Sequence, residues 1–471
     1  MTYDLFLYEN PDNKIINRYI LSGETESIFF LPNIKSINIF VGANNSGKSW
    51  LMRHLMEMKD YHKSEWLILK ELMFEFNNIL VDDIYVYQRN DLISYSVSAP
   101  QININRYDIL KDMITLDKVT KNKENFDKLL NFSKGYWDYF NEFLDEKKID
   151  KLNILNIKIY DIIKKNQKIE NVKKYLIPTL RTAHSLYDSK ERKIEEDIFL
   201  NTLNKNYPNK NVKIFTGLHL YKSILNSRNA RKEIRKRFED FETFIQENFF
   251  DGKKIDIVAE FDKDKSLNDN NSDEIISIHI DGENETRMLH ELGDGIQAII
   301  ILMYQIFMAE ENSVIFIDEP ELNLHPGMQR LFFEQISFNK DLTKKKLTYF
   351  ISTHSNHLLD LTLENDDVSI YSFNPIIENG NKKIIIKNVD FGNTELLRDL
   401  GVNNTSVFLA NSSIWVEGIS DRNYIKSFLK AYCDDVEGRV YPKEDIYFTF
   451  FEYAGGNIEH YILGEKFNDD E

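Results

Sequence analysis

Apolar positions along this chain follow three rhythms. Short continuous runs occur at Ile37-Asn38-Ile39-Phe40-Val41, Tyr175-Leu176-Ile177, Ser313-Val314-Ile315-Phe316-Ile317 and Leu347-Thr348-Tyr349-Phe350-Ile351. Runs of that length bounded by polar residues predict buried strands of a parallel sheet. From about Leu51 to Lys174 the rhythm is helical and rich in Lys, Glu, Asp and Asn, broken by the strand-like Asp83-Ile84-Tyr85-Val86-Tyr87 and Ile93-Ser94-Tyr95-Ser96-Val97. A mainly helical insertion between core elements is the expectation there. Strand-like alternation at Lys254 to Glu260 and Ile275 to Ile280 predicts two strands around a turn-rich stretch, and residues 1 to 36 suit a short antiparallel sheet. A strongly apolar helix is expected from Ala298 to roughly Met308, and another helix from Gln329 to Ser337. From Arg228 to Ile245 two stripes share one helical projection. Arg228, Arg231, Lys232 and Arg235 recur at i, i+3, i+4 and i+7, opposite Ile234, Phe238, Phe241 and Ile245, which predicts a helix with one basic and one packing face.

Chemistry enters directly after the first buried run. Gly42-Ala43-Asn44-Asn45-Ser46-Gly47-Lys48-Ser49 fits G-x-x-x-x-G-K-[ST], between a strand and the helix-compatible Leu51 to Met56. Gly42 and Gly47 let successive N–H groups converge on phosphate oxygens, and the following helix points its positive end at the same place. Lys48 would then reach the β- and γ-phosphates, and the Ser49 hydroxyl would ligand Mg²⁺.

The second apolar cluster supplies partners for such a loop. The run at Val314 ends in Asp318-Glu319, where α/β sheets bind ligands. Asp318 is expected to hold Mg²⁺ and Glu319 to polarise the attacking water. Leu347 to Ser355 ends in His354, a candidate sensor of the γ-phosphate. Glu291-Leu292-Gly293-Asp294-Gly295-Ile296-Gln297 opens the apolar helix with two glycines, a second anion-binding helix end. The run at Tyr175 ends in Arg181, a candidate for contact with nucleotide or partner, or for a structural ion pair.

Composition narrows the partners. The 471 residues carry 59 Lys+Arg against 76 Asp+Glu, a net charge of −17, so nucleic acid would need a local basic patch. The face of Arg228, Arg231, Lys232 and Arg235 is the best candidate for DNA phosphate contact. One cysteine, Cys433, excludes an internal disulfide framework and suits a reducing cytoplasm. Asp4, Glu9 and Asp12 argue against a secretory signal, and no apolar run approaches the roughly 18 residues of a membrane helix.

As a set these residues resemble a known family. Gly42 to Ser49 is similar to the Walker A motif, and Val314 to Glu319 to a Walker B motif with its catalytic glutamate. Leu292 to Gln297 resembles a variant ABC signature, Glu321-Leu322-Asn323-Leu324-His325-Pro326 the D-loop, and His354 the switch histidine; Gln88 is the candidate for a Q-loop glutamine. Their order resembles the ABC-type ATPase of OLD-family (overcoming lysogenization defect) proteins and their defence-associated relatives, over roughly residues 25 to 460 without the insertion. Asp294 and Ile296 depart from the Ser-Gly-Gly pattern of transporter ATPases, a form similar to the OLD branch. The resemblance implies an α/β ABC-type P-loop ATPase fold over residues 1 to 400, with the helical insertion at about 51 to 174. It also implies a homodimer or higher homo-oligomer. ATP would be sandwiched between Lys48, Ser49, Asp318, Glu319 and His354 of one chain and Gly293, Asp294 and Gly295 of the other.

Past residue 401 a new strand–turn–helix unit begins at Ser412-Ser413-Ile414-Trp415-Val416-Glu417-Gly418-Ile419-Ser420-Asp421. A helix is expected from Arg422 to roughly Ala431, and a strand from Ile446 to Tyr453 before Gly455-Gly456. Glu417 at a strand end suits a metal-linked or acid/base carboxylate. Val-Glu-Gly-x-Ser-Asp resembles the start of a Toprim domain, which implies a Mg²⁺- or Mn²⁺-dependent nuclease with Glu417 and Asp421 as metal residues. That part is expected to be incomplete over 401 to 471, because only 15 residues follow Gly456 and Asp469-Asp470 lack a strand for the metal-holding acid pair. The functions in view are an ATPase that controls a DNA nuclease in anti-phage defence, a non-cutting ATPase that holds a separate effector protein, or a DNA-repair ATPase. Sustained heptads for a long coiled coil are missing, which counts against the last.

Overall fold

The computed structural model describes residues 2–7, 16–24, 30–42, 45–65, 167–183, 196–206, 212–260, 275–355, 365–389, 413–435 and 441–452, apart from single positions and short gaps, with scattered residues in 67–75 and 147–162. The strand-like stretches at residues 83–87 and 93–97, Gln88, Ala43, Asn44 and Asp469-Asp470 lie outside the described residues.

The chain divides into two compact units. The first comprises Met1–Lys35, Glu57–Val172 and Ile377–Lys383, the second Ser36–Met56, Lys173–Ile376 and Ile384–Glu471. In the first, strands β1 (Tyr3–Phe6), β3 (Phe30–Ile34), β5 (Tyr61–Ser64) and β6 (Gln167–Ile169) form an antiparallel sheet in the order β3-β1-β5-β6, and β2 (Tyr19–Leu21) is a further short strand. Leu5 and Phe6 face Leu31 and Phe30, all buried. Buried Asp4 accepts the Asn33 N–H at 2.9 Å and the Leu67 N–H at 2.8 Å, so its carboxylate is satisfied by backbone. The antiparallel sheet expected near the N-terminus is present. Two of its strands, β5 and β6, come from the stretch expected to be mainly helical.

The second unit is built on a sheet in which seven strands run β15 (Asn381–Val389), β14 (Val368–Glu378), β4 (Ile37–Val41), β13 (Thr348–Thr353), β12 (Val314–Asp318), β7 (Lys174–Ile177), β8 (Val212–Ile214). From β14 to β8 every pair is parallel. The four apolar runs of the sequence are its central strands β4, β7, β12 and β13. They are buried on both faces, which is why they read as continuous runs and not as alternation. The register sets Thr353 beside Val41 and Asp318 beside Ser352, so the carboxyl ends of these strands finish together. Beside this sheet β9 (Ile255–Glu260), β10 (Ile275–Ile280) and the short β11 (Arg287–Met288) form an antiparallel sheet.

Helix α1 (Lys48–Glu57) follows β4, and buried Lys174 donates to the Met56 carbonyl at 3.1 Å, satisfying a carbonyl of its last turn. Helices α2 (Ile198–Asn206), α3 (Leu220–Arg228), α4 (Lys232–Phe249), α5 (Asp294–Met308), α6 (Pro326–Phe338) and α7 (Lys340–Lys344) follow in order. Helix α5 is buried on nearly every side, a core helix rather than an amphipathic one. Its Tyr304 packs among Phe215, Phe238 and Phe241 and shares a 2.7 Å hydrogen bond with Ser227; burial pushes this phenol up to about 12.

The basic helix expected over Arg228 to Ile245 is corrected. Helix α3 ends at Arg228, Arg231 is the N-cap of α4, and the intended stripe is split between two helices. The Asn229 side chain donates to the Leu225 carbonyl at 2.9 Å, and the Arg228 guanidinium turns to Asp256 and the Ile257 carbonyl and lies 5.6 Å from the Phe238 ring. Local side-chain bonding thus ends the helix where periodicity alone would continue it. Arg231, Lys232 and Arg235 remain exposed, and Ile234 is 36% exposed and not part of the packing stripe.

A last segment, β16 (Ser413–Val416), α8 (Ile419–Asp435) and β17 (Thr449–Glu452), makes a β-α-β unit with the two strands paired in parallel. Val416, Phe448 and Phe450 form its small core.

Candidate nucleotide-binding site

Four strand ends supply the site. After β4 the chain passes through Gly42 at φ 151°, Asn45 at φ 62° and Gly47 at φ 99° into α1, whose first residue is Lys48. A β-carbon on Gly42 would lie 2.6 Å from the Phe373 carbonyl oxygen and 3.0 Å from Ser46 Oγ, so only glycine fits there. The Lys48 ammonium folds back over the loop, donating to the Gly42 carbonyl at 2.7 Å and lying 3.2 Å from His354 Nε2. Burial lowers the Lys48 pKa, opposed by the nearby Glu319, Asp318 and Glu321.

At the end of β12, Asp318 is held from both sides. Thr179 donates to its Oδ2 at 2.9 Å and Ser352 donates to its Oδ1. Glu319 follows in the left-handed region at φ 47°, with its N–H donated to the Ser352 carbonyl at 2.9 Å. Its carboxylate lies 3.3 Å from His354 Nε2. Nε2 has one valence for a proton, so it cannot accept from Lys48 and donate to Glu319 at once; the site holds one of these hydrogen bonds at a time. Glu321 ties the D-loop-like turn to the end of β13, its Oε1 accepting from Thr353 Oγ1 at 2.9 Å and from the His354 N–H at 2.8 Å.

These groups line a cavity of about 230 Å³ with Asn45, Ser46, Gly47, Lys48, Ser49, Trp50, Arg53, Asp318, Glu319, Ser352 and His354 on its walls. Of the residues expected from sequence, Asn45 to Ser49, Asp318, Glu319 and His354 meet here. Gly293, Asp294 and Gly295 do not line it. Gly293 is the N-cap of α5 and both it and Asp294 are exposed, whereas Gly295 sits against Met328 and the Asn323 carbonyl, where a β-carbon would come within 2.7 Å of the Met328 sulfur. Sequence reasoning did not single out Thr179 and Ser352, the two hydroxyls that orient Asp318. Their position at strand carboxyl ends was the available signal. Arg181 donates to the carbonyls of Pro178, Asp318 and Glu319.

Glu417 and Asp421 are placed apart from this cavity, in the β-α-β unit. The Glu417 N–H donates to Asp421 Oδ2 at 3.2 Å. Among the described residues no group of three or more His, Cys, Asp or Glu side chains is arranged to hold a metal ion.

A glycine loop running into a helix, a lysine over it and an acidic strand end beside it, all at the carboxyl edge of a parallel sheet, define a P-loop nucleotide-binding protein. The family model for the AAA domain, putative AbiEii toxin, Type IV TA system, matches residues 37–360, and the chain belongs to that family. It carries an AAA-type ATPase domain, with an α/β fold on a large parallel sheet. No curated protein matches the sequence. Among solved structures it is similar to the crystal structure of the SmcHead bound to the C-winged helix domain of ScpA, at 11% identity and a TM-score of 0.32, covering 84% of this chain and 98% of that one. Such a likeness is too distant to transfer a ligand or a partner. Among the described residues no helix is long and apolar enough to cross a membrane.

Proposed function

We propose that this chain binds ATP with Mg²⁺ and hydrolyses it between two copies of itself, using the nucleotide state to control an effector that acts on DNA. The observation that carries the reading is the convergence of Lys48, Asp318, Glu319 and His354 on one cavity beside the glycine loop. The donor set fits Mg²⁺, since Ser49 and Asp318 share that cavity and the Asp318 carboxylate is oriented by Thr179 and Ser352. When bound, the ion would neutralise charge on the β- and γ-phosphates. Lys48 would exchange the Gly42 carbonyl for phosphate oxygens, and its departure would free His354 Nε2 to donate. Glu319 would orient and polarise the attacking water. Gly293 and Asp294, exposed at the start of α5, with half-buried Gly295 behind them, are suited to meet the nucleotide of a second copy.

The test is ATP hydrolysis by the wild type and by Glu319→Gln. Removal of the base should lower turnover by about 10²- to 10⁴-fold while ATP stays bound, and it should shift the chain toward a dimer in light scattering. A variant that turns over ATP at the wild-type rate would sink the assignment.

The OLD-like arrangement extends this reading to a Toprim nuclease with Glu417 and Asp421 on Mg²⁺ or Mn²⁺, in anti-phage defence, with Arg231, Lys232 and Arg235 contacting DNA. A second reading has the β-α-β unit cut nothing and a separate effector protein carry the activity. The Asp421 carboxylate favours it, because in the first turn of α8 it already accepts the Glu417 N–H, a local structural bond.

A further inference from the structure

The turn that carries Glu319 is held by a cation outside the nucleotide cavity. Glu319 is in the left-handed region and precedes Pro320, whose ring also disfavours the right-handed helical region for the residue before it. In that conformation the carbonyls of Asp318, Glu319 and Pro320, three negative dipole ends, come within reach of a single donor. Arg181 is that donor. Its Nη1 donates to the Pro178 carbonyl at 2.9 Å and to Asp318 O at 3.0 Å, while Nη2 donates to Glu319 O at 2.8 Å and approaches Pro320 O at 3.4 Å. Both forks of one planar group are thus spent on the backbone of the acidic turn, and the side chain does not line the cavity.

We infer that Arg181 is a positioning residue for Glu319, fixing the left-handed turn that aims its carboxylate at the site of water attack. This rests on the ATPase reading above. The guanidinium is suited to the task because its rigid fork reaches carbonyls in two directions at once, which an ammonium does not. Arg181 touches neither the glycine loop nor Lys48 in these contacts, so its loss should leave ATP binding in place and degrade only the step that needs Glu319 in register.

The experiment compares steady-state ATP hydrolysis and binding of a fluorescent ATP analogue, with Mg²⁺, for the wild type, Arg181→Ala, Arg181→Lys, Glu319→Gln and each Arg181 variant combined with Glu319→Gln. Arg181→Ala should lower kcat by about 10²-fold, the scale of an ångström-sized misplacement, with KM and analogue affinity within about twofold. Arg181→Lys, which keeps the charge and serves the same purpose should the alanine variant fail to fold, should still lose about tenfold in kcat. On the Glu319→Gln background neither substitution should slow the residual rate further, because a residue acting through Glu319 has nothing left to position. A full additional loss on that background, or a wild-type kcat in Arg181→Lys, overturns the inference and leaves the ATPase reading standing. Failure of the wild type itself to hydrolyse ATP overturns both.

Discussion

Gly42 shows how little freedom the site leaves to a single residue. Its φ of 151° and the 2.6 Å approach of the Phe373 carbonyl to any added β-carbon mean that an alanine would displace the adjoining strand β14 or pull the loop open. We predict that Gly42→Ala costs about 1–3 kcal/mol, the usual range for overpacking, and weakens nucleotide binding. Urea unfolding and analogue titration check the two parts separately. Wild-type stability in this variant would mean that the loop relaxes without cost. Lys48 is constrained differently: its ammonium, in contact with the Gly42 carbonyl and His354, is spared an uncompensated burial by the carboxylates of Glu319, Asp318 and Glu321.

At the scale of elements, α4 and β9 meet through a carboxyl group that burial makes reluctant to ionise. Glu242 accepts the Ile257 N–H at 2.8 Å, yet desolvation raises its pKa from the ordinary 4.5 to about 7, with the hydrogen bond and Arg228 pulling the other way. Between those values the folded chain holds a proton that the unfolded chain has released. The stability tied to this group is therefore fully present below pH 4.5 and is lost as the pH rises through about 7. The wild type should melt at a higher temperature at about pH 5 than at about pH 8, and Glu242→Gln, which retains an acceptor for Ile257, should flatten that difference. An identical pH profile for the two would assign the slope to other groups. The neighbouring break between α3 and α4, where periodicity would continue the helix, falls at Arg228, whose side chain reaches for Asp256 and Ile257.

For the whole molecule the test falls on the β-α-β unit from Ser413 to Glu452. With a net charge of −17 the chain repels a polyanion at long range, so the proposed DNA contact would rely on local groups such as Arg231, Lys232 and Arg235 and fall steeply with salt. If the unit is a nuclease, plasmid DNA with Mg²⁺ or Mn²⁺ should be cut by the wild type and left intact by Glu417→Ala, with ATP changing the rate. Intact ATPase activity with no cutting by either chain would assign the effector role to another protein.

The sequence alone determined the elements whose signal is local. The buried runs that became β4, β7, β12 and β13 are legible because strands covered on both faces are mostly apolar without a period-two alternation, and the glycine loop because its backbone conformations exclude side chains. Asp318, Glu319 and His354 were legible as strand-end residues for the same reason. Tertiary structure decided what depends on distant partners. Periodicity could not see that Asp256 and Ile257 would capture Arg228, that Tyr61 to Ser64 and Gln167 to Ile169 would join the N-terminal sheet, or that Arg181 would clamp the turn at Glu319. A side chain that bonds to backbone more than 130 positions away, as Arg181 does to Glu319, leaves no periodic trace in the chain, since the carbonyls it serves exist at every residue and only the parallel register brings these to it.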